Sequence, residues 1–277
     1  MKLKKVVDKA FIEGQNQCVN ITKYQANWSN KTNKENIVTK HEIFSMIDIL
    51  RDNTFFQLGS SVYRQTIGIP MGIDPAPHMA NLYLYHNEFV YMEKLTKVNY
   101  GKALKYNNTQ RFIDDLFTMN NDGILEQDKD SIYHKDLQLN KENTSNEHAT
   151  FLDLDITIEN GYVTTKTYDK REDFNFEIVS FPDLGGNIPE RSSYGIFTAQ
   201  IIRHAKNCSQ TQTFITRIKQ LVDKLVHKGF QTTLLRKTME RCLEEKRWII
   251  VKYQCKQQYL QKHIWEEDKY SFEEKRE

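Results

Sequence analysis

The stretch Arg111-Phe112-Ile113-Asp114-Asp115-Leu116-Phe117-Thr118-Met119 consists of two apolar arms around an acidic dipeptide. The arms predict the two short strands of a tight β-hairpin, with Asp114 and Asp115 at its tip. Adjacent carboxylates repel each other unless water solvates them or a cation is shared between them. Their hard oxygen atoms suit Mg²⁺, which accepts one or two protein carboxylates together with substrate phosphates. A plain solvent-exposed acidic turn explains most Asp-Asp pairs, so the surrounding sequence has to decide.

A loop rich in glycine and proline precedes this hairpin, at residues 65–77. Gly68 and Gly72 would allow a ligand to approach the backbone closely. The helical pattern that begins near His78 would point the positive end of its dipole toward the same place. An ordinary loop before a proline-capped helix accounts for the same residues, so the loop alone is a weak signal.

The rest of the sequence predicts an α+β protein. Apolar residues recur with helical spacing in three early segments, at 3–11, 41–50 and 79–95. Residues 151–168 alternate in strand fashion on both sides of Asn160-Gly161, which predicts a second β-hairpin. Helical spacing returns near the C-terminus, where Gly229 is placed to end one helix.

The net charge of +2 conceals an asymmetry along the chain. Residues 203–262 contain 14 Lys and Arg against four Asp and Glu, so this segment carries +10 and the remaining chain −8. A basic segment beside an acidic body suggests a polyanionic partner. A solvated helix face is an equally good explanation of the charge alone. The change from strands to basic helices near Ile201 predicts two domains, at 1–200 and 201–277.

Composition excludes several classes of protein. The chain has 277 residues, of which 39% are hydrophobic and 27% charged, which is not the composition of a disordered chain. No apolar run approaches the length of a membrane span, and the N-terminus lacks the apolar core of a signal peptide. The four cysteines form no CxxC pair, which argues against a zinc site or a disulfide framework. We therefore expect a nuclear or cytoplasmic protein that is neither secreted nor bound to a membrane.

Together, the loop and the hairpin resemble two motifs of reverse transcriptases. Residues 68–77 are similar to the motif B loop, usually written PQGxxxSP. Residues 112–115 resemble motif C, the YxDD box. Residues 137–141 resemble motif D, and Phe151-Leu152-Asp153-Leu154 occupies the place of the FLG turn of motif E.

A closer similarity links the chain to the reverse transcriptases of Penelope-like retroelements. The blocks that carry it are 63–72, 111–115, 151–154, 167–176, 187–189 and 194–195. The resemblance extends over residues 2–257, and it implies an RNA-directed DNA polymerase. The implied fold is a truncated right-hand palm with a small antiparallel sheet, followed by a mostly helical thumb. The implied partners are an RNA template, a DNA primer and deoxynucleoside triphosphates.

The resemblance also implies roles for individual residues. Asp114 and Asp115 would be the catalytic metal ligands for Mg²⁺ (or Mn²⁺) in two-metal nucleotidyl transfer. Lys141 is a candidate general acid for pyrophosphate, although an ordinary surface lysine is the more common case. The residues expected to contact the templating base and the incoming nucleotide are Gln65, Gly68, Pro70, Met71 and Gly72. Those expected to contact the nucleic-acid backbone are Arg203, Lys206, Arg217 and Lys224.

The sequence departs from the family pattern in two ways. Asp8 lies in a helical pattern and Asp48 precedes residue 65 by only 17 positions, so neither fits the motif A aspartate. No GIY-YIG endonuclease module follows the basic helices, so a truncated copy or an incomplete gene model is expected. Alternation places Asp153 and Asp155 toward solvent rather than on a metal. Two alternatives stay open: a non-catalytic nucleic-acid-binding remnant, and a helical interaction protein with a coincidental Asp-Asp turn.

Overall fold

The structure is a computed structural model that describes residues 2–30, 36–69, 72–143, 145–176 and 178–265. The chain divides into two compact units, Met1–Leu139 and Asn140–Glu277. Each unit combines helices with small antiparallel sheets, so the predicted α+β class is confirmed.

The first unit begins with two helices and a three-stranded sheet. Its elements are α1 (Lys2–Glu13), β1 (Cys18–Ile21), β2 (Ala26–Ser29), β3 (Ile37–Thr39) and α2 (Lys40–Asp52). The strands are antiparallel in the order β2-β1-β3. Thr39 and Glu42 form a capping box that starts α2. Both helices agree with the sequence pattern, whereas the three strands are too short and too mixed in polarity to be predicted.

The remainder of the first unit carries two β-hairpins around a long helix. Its elements are β4 (Phe55–Leu58), β5 (Ser61–Arg64), α3 (Ala76–Val98), α4 (Tyr100–Leu104), β6 (Thr109–Phe112), β7 (Asp115–Thr118) and α5 (Ile124–Ile132). Strand β4 pairs with β5 and β6 with β7, both antiparallel. Helix α3 confirms the predicted helix and starts two residues before His78, with Pro75 as N-cap and Pro77 in the first turn. Prolines are tolerated there because the first amides of a helix have no partner within the helix.

The second unit consists of one sheet followed by a helical bundle. Its elements are β8 (His148–Phe151), β9 (Leu154–Glu159), β10 (Tyr162–Thr167), α6 (Glu190–Asn207), α7 (Thr211–Val226), α8 (Thr232–Glu245), α9 (Trp248–Lys252) and α10 (Gln257–Trp265). The sheet is antiparallel in the order β10-β9-β8. Asn160 and Gly161 have φ of +51° and +79°, the conformation that an Asn-Gly hairpin turn requires. The predicted second hairpin is therefore confirmed, with β8 as an additional strand.

The helices of the second unit share one apolar core. Its fully buried side chains include Phe197, Ile201, Phe214, Leu235 and Leu260. Burial of each such side chain stabilises the fold by about 1.5–3 kcal/mol. Phe197 and Ile201 both lie on α6, so this helix and its core contacts continue across the predicted boundary near residue 201. The two compact units divide between residues 139 and 140, and the predicted domains with their assignment to palm and thumb stay a prediction.

Candidate functional site

The acidic dipeptide lies at the tip of a hairpin. Strand β6 pairs with β7 so that Arg111 faces Leu116 and Phe112 faces Asp115. This register leaves Ile113 and Asp114 as a two-residue turn. Asp114 and Asp115 are both exposed. The predicted strand pairing is confirmed, and the Asp-Asp tip (residues 113–115) presents two neighbouring carboxylates to solvent.

The turn of the Asp-Asp tip has a backbone conformation that its sequence disfavours. Ile113 has φ of +54°, in the left-handed region. For a residue with a side chain this conformation costs about 1–2 kcal/mol, and a β-branched residue is among the least suited to it. Glycine or asparagine is the usual residue at such a hairpin position. Strain of this kind persists only where surrounding contacts enforce the conformation.

Arg111 provides contacts that enforce it. Its Nη1 donates to the carbonyl oxygen of Ile113 at 3.1 Å and to Asn81 Oδ1 at 2.7 Å, while its Nε donates to Glu88 Oε1 at 2.7 Å. Asn81 and Glu88 are two turns apart on α3, so they lie on one side of that helix. The side chain of Arg111 is only 14% exposed. One guanidinium thus joins the turn of the hairpin to α3.

Glu88 has a second donor beside Arg111. The hydroxyl of Tyr133, at the C-terminal end of α5, donates to Glu88 Oε1 at 2.8 Å. Burial and the neighbouring carboxylate raise the pKa of Tyr133, so its hydroxyl keeps its proton. The Asp-Asp tip is therefore connected through Arg111 and Glu88 to both α3 and α5.

A second carboxylate, Asp128, joins three helical segments of the first unit. Asp128 accepts hydrogen bonds from Lys102 Nζ at 2.6 Å, from the Tyr106 hydroxyl at 2.8 Å and from the Tyr91 hydroxyl. Burial raises the pKa of Asp128, but these three donors outweigh burial and hold the pKa below its ordinary value. Desolvation, together with the bond to Asp128, raises the pKa of Tyr91 to about 12. This cluster stabilises the scaffold on which the hairpin stands.

Asp128 is absent from the residues predicted above, although the sequence contains a signal for it. Ile124, Asp128 and Ile132 recur every four residues on α5, so Asp128 lies on the apolar face of the helix. A carboxylate at such a position requires partners, because an unpaired buried charge is strongly unfavourable. The partners come from α3 and from around α4, which the sequence pattern of α5 cannot identify.

The loop predicted to contact a nucleotide is described in part. Gly68 and Gly72 have φ of +91° and +89°, which other residues rarely adopt. Gln65 donates from Nε2 to the carbonyl oxygen of Ile67 at 3.0 Å, which closes the start of the loop. The two remaining predicted contacts, Pro70 and Met71, lie outside the described residues.

Lys141, the candidate general acid, belongs to the second unit. It is exposed, and its Nζ lies 3.4 Å from Asn146 Oδ1. This local contact is typical of a surface lysine, and its role in proton transfer stays a prediction.

Two of the four cations predicted to contact phosphate have partners within the second unit. Arg203 pairs with Asp153 through Nη2 and Oδ1 at 2.9 Å, and Arg217 pairs with Glu172 through Nη1 and Oε1 at 2.7 Å. A phosphate would have to compete with these carboxylates. The two predicted cations that are exposed are Lys206 and Lys224.

The prediction that Asp155 faces solvent is wrong. Its side chain is 13% exposed and pairs with Lys166 Nζ at 3.1 Å and His148 Nε2 at 2.9 Å. The cause is sheet order, because β9 is the central strand and places Asp155 between neighbours on both sides. Asp153 lies in the turn between β8 and β9, is 61% exposed and pairs with Arg203. Asp153 and Asp155 therefore do not form a pair on one strand.

His204 is a titratable group that lies beside the cations of α6 and α7. Its Nδ1 lies 2.9 Å from Thr167 Oγ1. Burial, followed by the nearby charges of Arg217 and Arg203, lowers the pKa of His204 to about 4. The imidazole is thus neutral near pH 7 and contributes no charge to the basic surface.

Within the described ranges, no three His, Cys, Asp or Glu side chains come together as a cation site. Asp8 and Asp48 lie on α1 and α2, as their spacing predicts, and they pair with Lys40 and Lys4 respectively.

No described helix is both long and apolar enough to span a membrane. Comparison of the chain with protein-family models, curated proteins and solved structures gave no match.

Proposed function

We propose that this chain is part of an RNA-directed DNA polymerase similar to those of Penelope-like retroelements. The observation that carries the proposal is the Asp-Asp tip, where a strained two-residue turn presents Asp114 and Asp115 to solvent while Arg111 ties its backbone to α3. Such strain is concentrated at functional sites, where a fixed geometry matters more than local stability. The order of glycine loop, Asp-Asp hairpin and second hairpin agrees with the sequence resemblance.

The residues of the Asp-Asp tip fit a magnesium ion in part. Asp114 and Asp115 supply hard oxygen donors, and both are exposed. Mg²⁺ commonly takes one or two carboxylates and completes its shell with water and substrate phosphates. When bound, such ions would activate the primer hydroxyl and neutralise the charge of the leaving pyrophosphate. Two-metal sites need further ligands from a separate segment, and the described residues bring no third carboxylate to the tip.

Other residues would bind and orient the substrates. Gly68 and Gly72 have positive φ and, as glycines, no Cβ. A base pair could therefore approach their exposed backbone closely. Lys206 and Lys224 would contact backbone phosphates, because both are exposed. The partners would be an RNA template, a DNA primer and deoxynucleoside triphosphates, in the nucleus or the cytoplasm.

A second candidate function is nucleic-acid binding without catalysis. It is favoured by the same observation that limits the metal site, since only two carboxylates meet at the tip among the described residues. The +10 charge of residues 203–262 would serve either function.

Metal-dependent binding of nucleotide separates the two functions. The chain is bound to an RNA–DNA primer–template, and retention of labelled deoxynucleotide is measured with and without Mn²⁺. The polymerase proposal expects Mn²⁺-dependent retention that is lost in Asp114→Asn. Duplex binding with no Mn²⁺-dependent retention would leave the non-catalytic function.

Primer extension provides the complementary measurement. We expect no extension by residues 1–277 alone with Mg²⁺ or Mn²⁺, because two carboxylates from one hairpin cannot hold two ions about 3.5–4 Å apart. Clear extension that Asp114→Asn abolishes would show that another carboxylate of this chain completes the site.

A further inference from the structure

The Asp-Asp tip is held by its backbone, and its two carboxylates are left exposed. Arg111 reaches the tip only at the carbonyl oxygen of Ile113, at 3.1 Å. The hydrogen bonds and ion pairs of the described residues include none to the carboxylates of Asp114 or Asp115. The residue that restrains the turn therefore does not occupy the groups that face solvent.

A turn of similar backbone conformation in the second unit is held in the opposite way. Leu152 has φ of +53°, and the next residue is again an aspartate, Asp153. Here Arg203 grips the carboxylate itself, with Nε and Nη2 at 3.0 and 2.9 Å from its two oxygens. Asn207 adds a bond to the carbonyl oxygen of Asp153 at 3.2 Å. That carboxylate is occupied by an arginine, so the two turns resemble each other in backbone but differ in what they leave available.

We infer that Arg111 is a positioning residue that holds the turn from which the Asp114 and Asp115 carboxylates extend; this inference rests on the proposed function. The carbonyl of Ile113 and the amide nitrogen of Asp114 belong to one planar peptide unit. A hydrogen bond that fixes this carbonyl fixes the plane from which the Asp114 Cα departs. Arg111 therefore restrains, through the backbone, the position from which the Asp114 side chain extends.

The geometry requires an arginine at this position. The guanidinium donates to four acceptors at once: the Ile113 carbonyl, Asn81 Oδ1, the Asn81 carbonyl and Glu88 Oε1. A planar fork with several fixed donors serves such a set, whereas a lysine ammonium is a point charge on a flexible stem. Lysine could keep the ion pair with Glu88 but could not hold the turn in one conformation.

The test compares variants of the full chain by their affinity for Mn²⁺, measured from the electron paramagnetic resonance signal of the free ion. Arg111→Lys removes the fork and keeps the charge. Arg171→Lys is the matched control, because Arg171 forms a two-point pair with Asp169 in the second unit, at 2.8 and 2.7 Å. The double variant Asp114→Asn/Asp115→Asn measures how much Mn²⁺ binds outside the Asp-Asp tip. A fourth variant, Arg111→Lys/Ile113→Gly, removes the strain that Arg111 is inferred to restrain.

We expect Arg111→Lys to weaken Mn²⁺ binding by about tenfold or more, which is the usual effect of losing a residue that orients a metal ligand. Arg171→Lys should bind as the wild type does. Ile113→Gly should restore part of the lost affinity, since glycine adopts the turn without support. A general loss of packing would not be repaired by a glycine in the turn. If Arg111→Lys unfolds, Asn81→Ala removes one acceptor and should weaken binding in the same direction.

Each result decides the inference. Wild-type affinity in Arg111→Lys, or a loss that Ile113→Gly leaves unchanged, overturns the positioning role and leaves the proposed function standing. If instead the double aspartate variant binds Mn²⁺ like the wild type, the proposed metal site fails. The inference is then decided by the backbone ¹³C shifts of Ile113, which report its conformation. A shift toward extended-chain values in Arg111→Lys supports the role of Arg111, and unchanged shifts refute it.

Discussion

Replacement of Asp128 by asparagine should destabilise the first unit far more than the loss of an exposed carboxylate charge does. The side chains of Asp128 and Lys102 are 11% and 29% exposed, and two tyrosine hydroxyls also donate to Asp128. Asparagine keeps one acceptor oxygen, but its amide N–H₂ replaces the second oxygen and faces groups that themselves donate hydrogen bonds. Hydrogen bonds to a buried charge contribute about 1.5–3 kcal/mol each, and a broken buried pair costs about 3–5 kcal/mol. We therefore expect a loss of about 2–4 kcal/mol in the free energy of unfolding.

The assay is urea denaturation, with amide exchange in α5 to localise the effect. Asp122→Asn is the control, because Asp122 pairs with Lys105 at 2.8 Å but is 69% exposed, and its loss should cost less than about 1 kcal/mol. The low pKa of Asp128 means that its stabilisation is present above about pH 4 and is lost as the pH falls through the folded-state value. The difference between the wild type and Asp128→Asn should thus shrink in acid. If Asp128→Asn and Asp122→Asn lowered the free energy of unfolding equally near pH 7, the reasoning would be refuted.

Two further predictions concern the second unit. If about six cations of residues 203–262 contact phosphates, the logarithm of duplex affinity should fall with the logarithm of salt concentration at a slope of roughly −4 to −5. In the double variant Lys206→Ala/Lys224→Ala, the magnitude of this slope should decrease by about two. A salt-independent affinity would contradict this. The pKa of His204, about 4 in the folded state, lies below the unfolded value, so protonation of the unfolded chain destabilises the fold as the pH falls below about 6.5. The free energy of unfolding, measured by urea denaturation, should be about 2 kcal/mol lower at pH 5 than at pH 7. His204→Gln should remove most of this difference.

The sequence alone determined the elements whose signals are local. The Asp-Asp hairpin and the Asn160-Gly161 hairpin were predictable because a two-residue turn and the alternation beside it involve only neighbouring residues. Helices α3 and α7 were predictable because apolar spacing is a property of one segment. Asp114 and Asp115 could therefore be placed at the tip of a hairpin from nearby residues alone.

The tertiary structure decided every feature that depends on partners distant in sequence. Arg111 reads as an ordinary strand residue until α3 brings Asn81 and Glu88 to its guanidinium. Asp155 reads as a solvent-facing residue until β9 becomes a central strand. Arg203 reads as an unpaired cation until α6 brings it to Asp153, and its contact with phosphate stays a prediction. Sequence spacing reports which face a side chain takes on its own element, but only packing determines which group lies opposite. The exposure of the Asp114 and Asp115 carboxylates follows from that packing, because the neighbouring arginine is directed to the backbone of the turn.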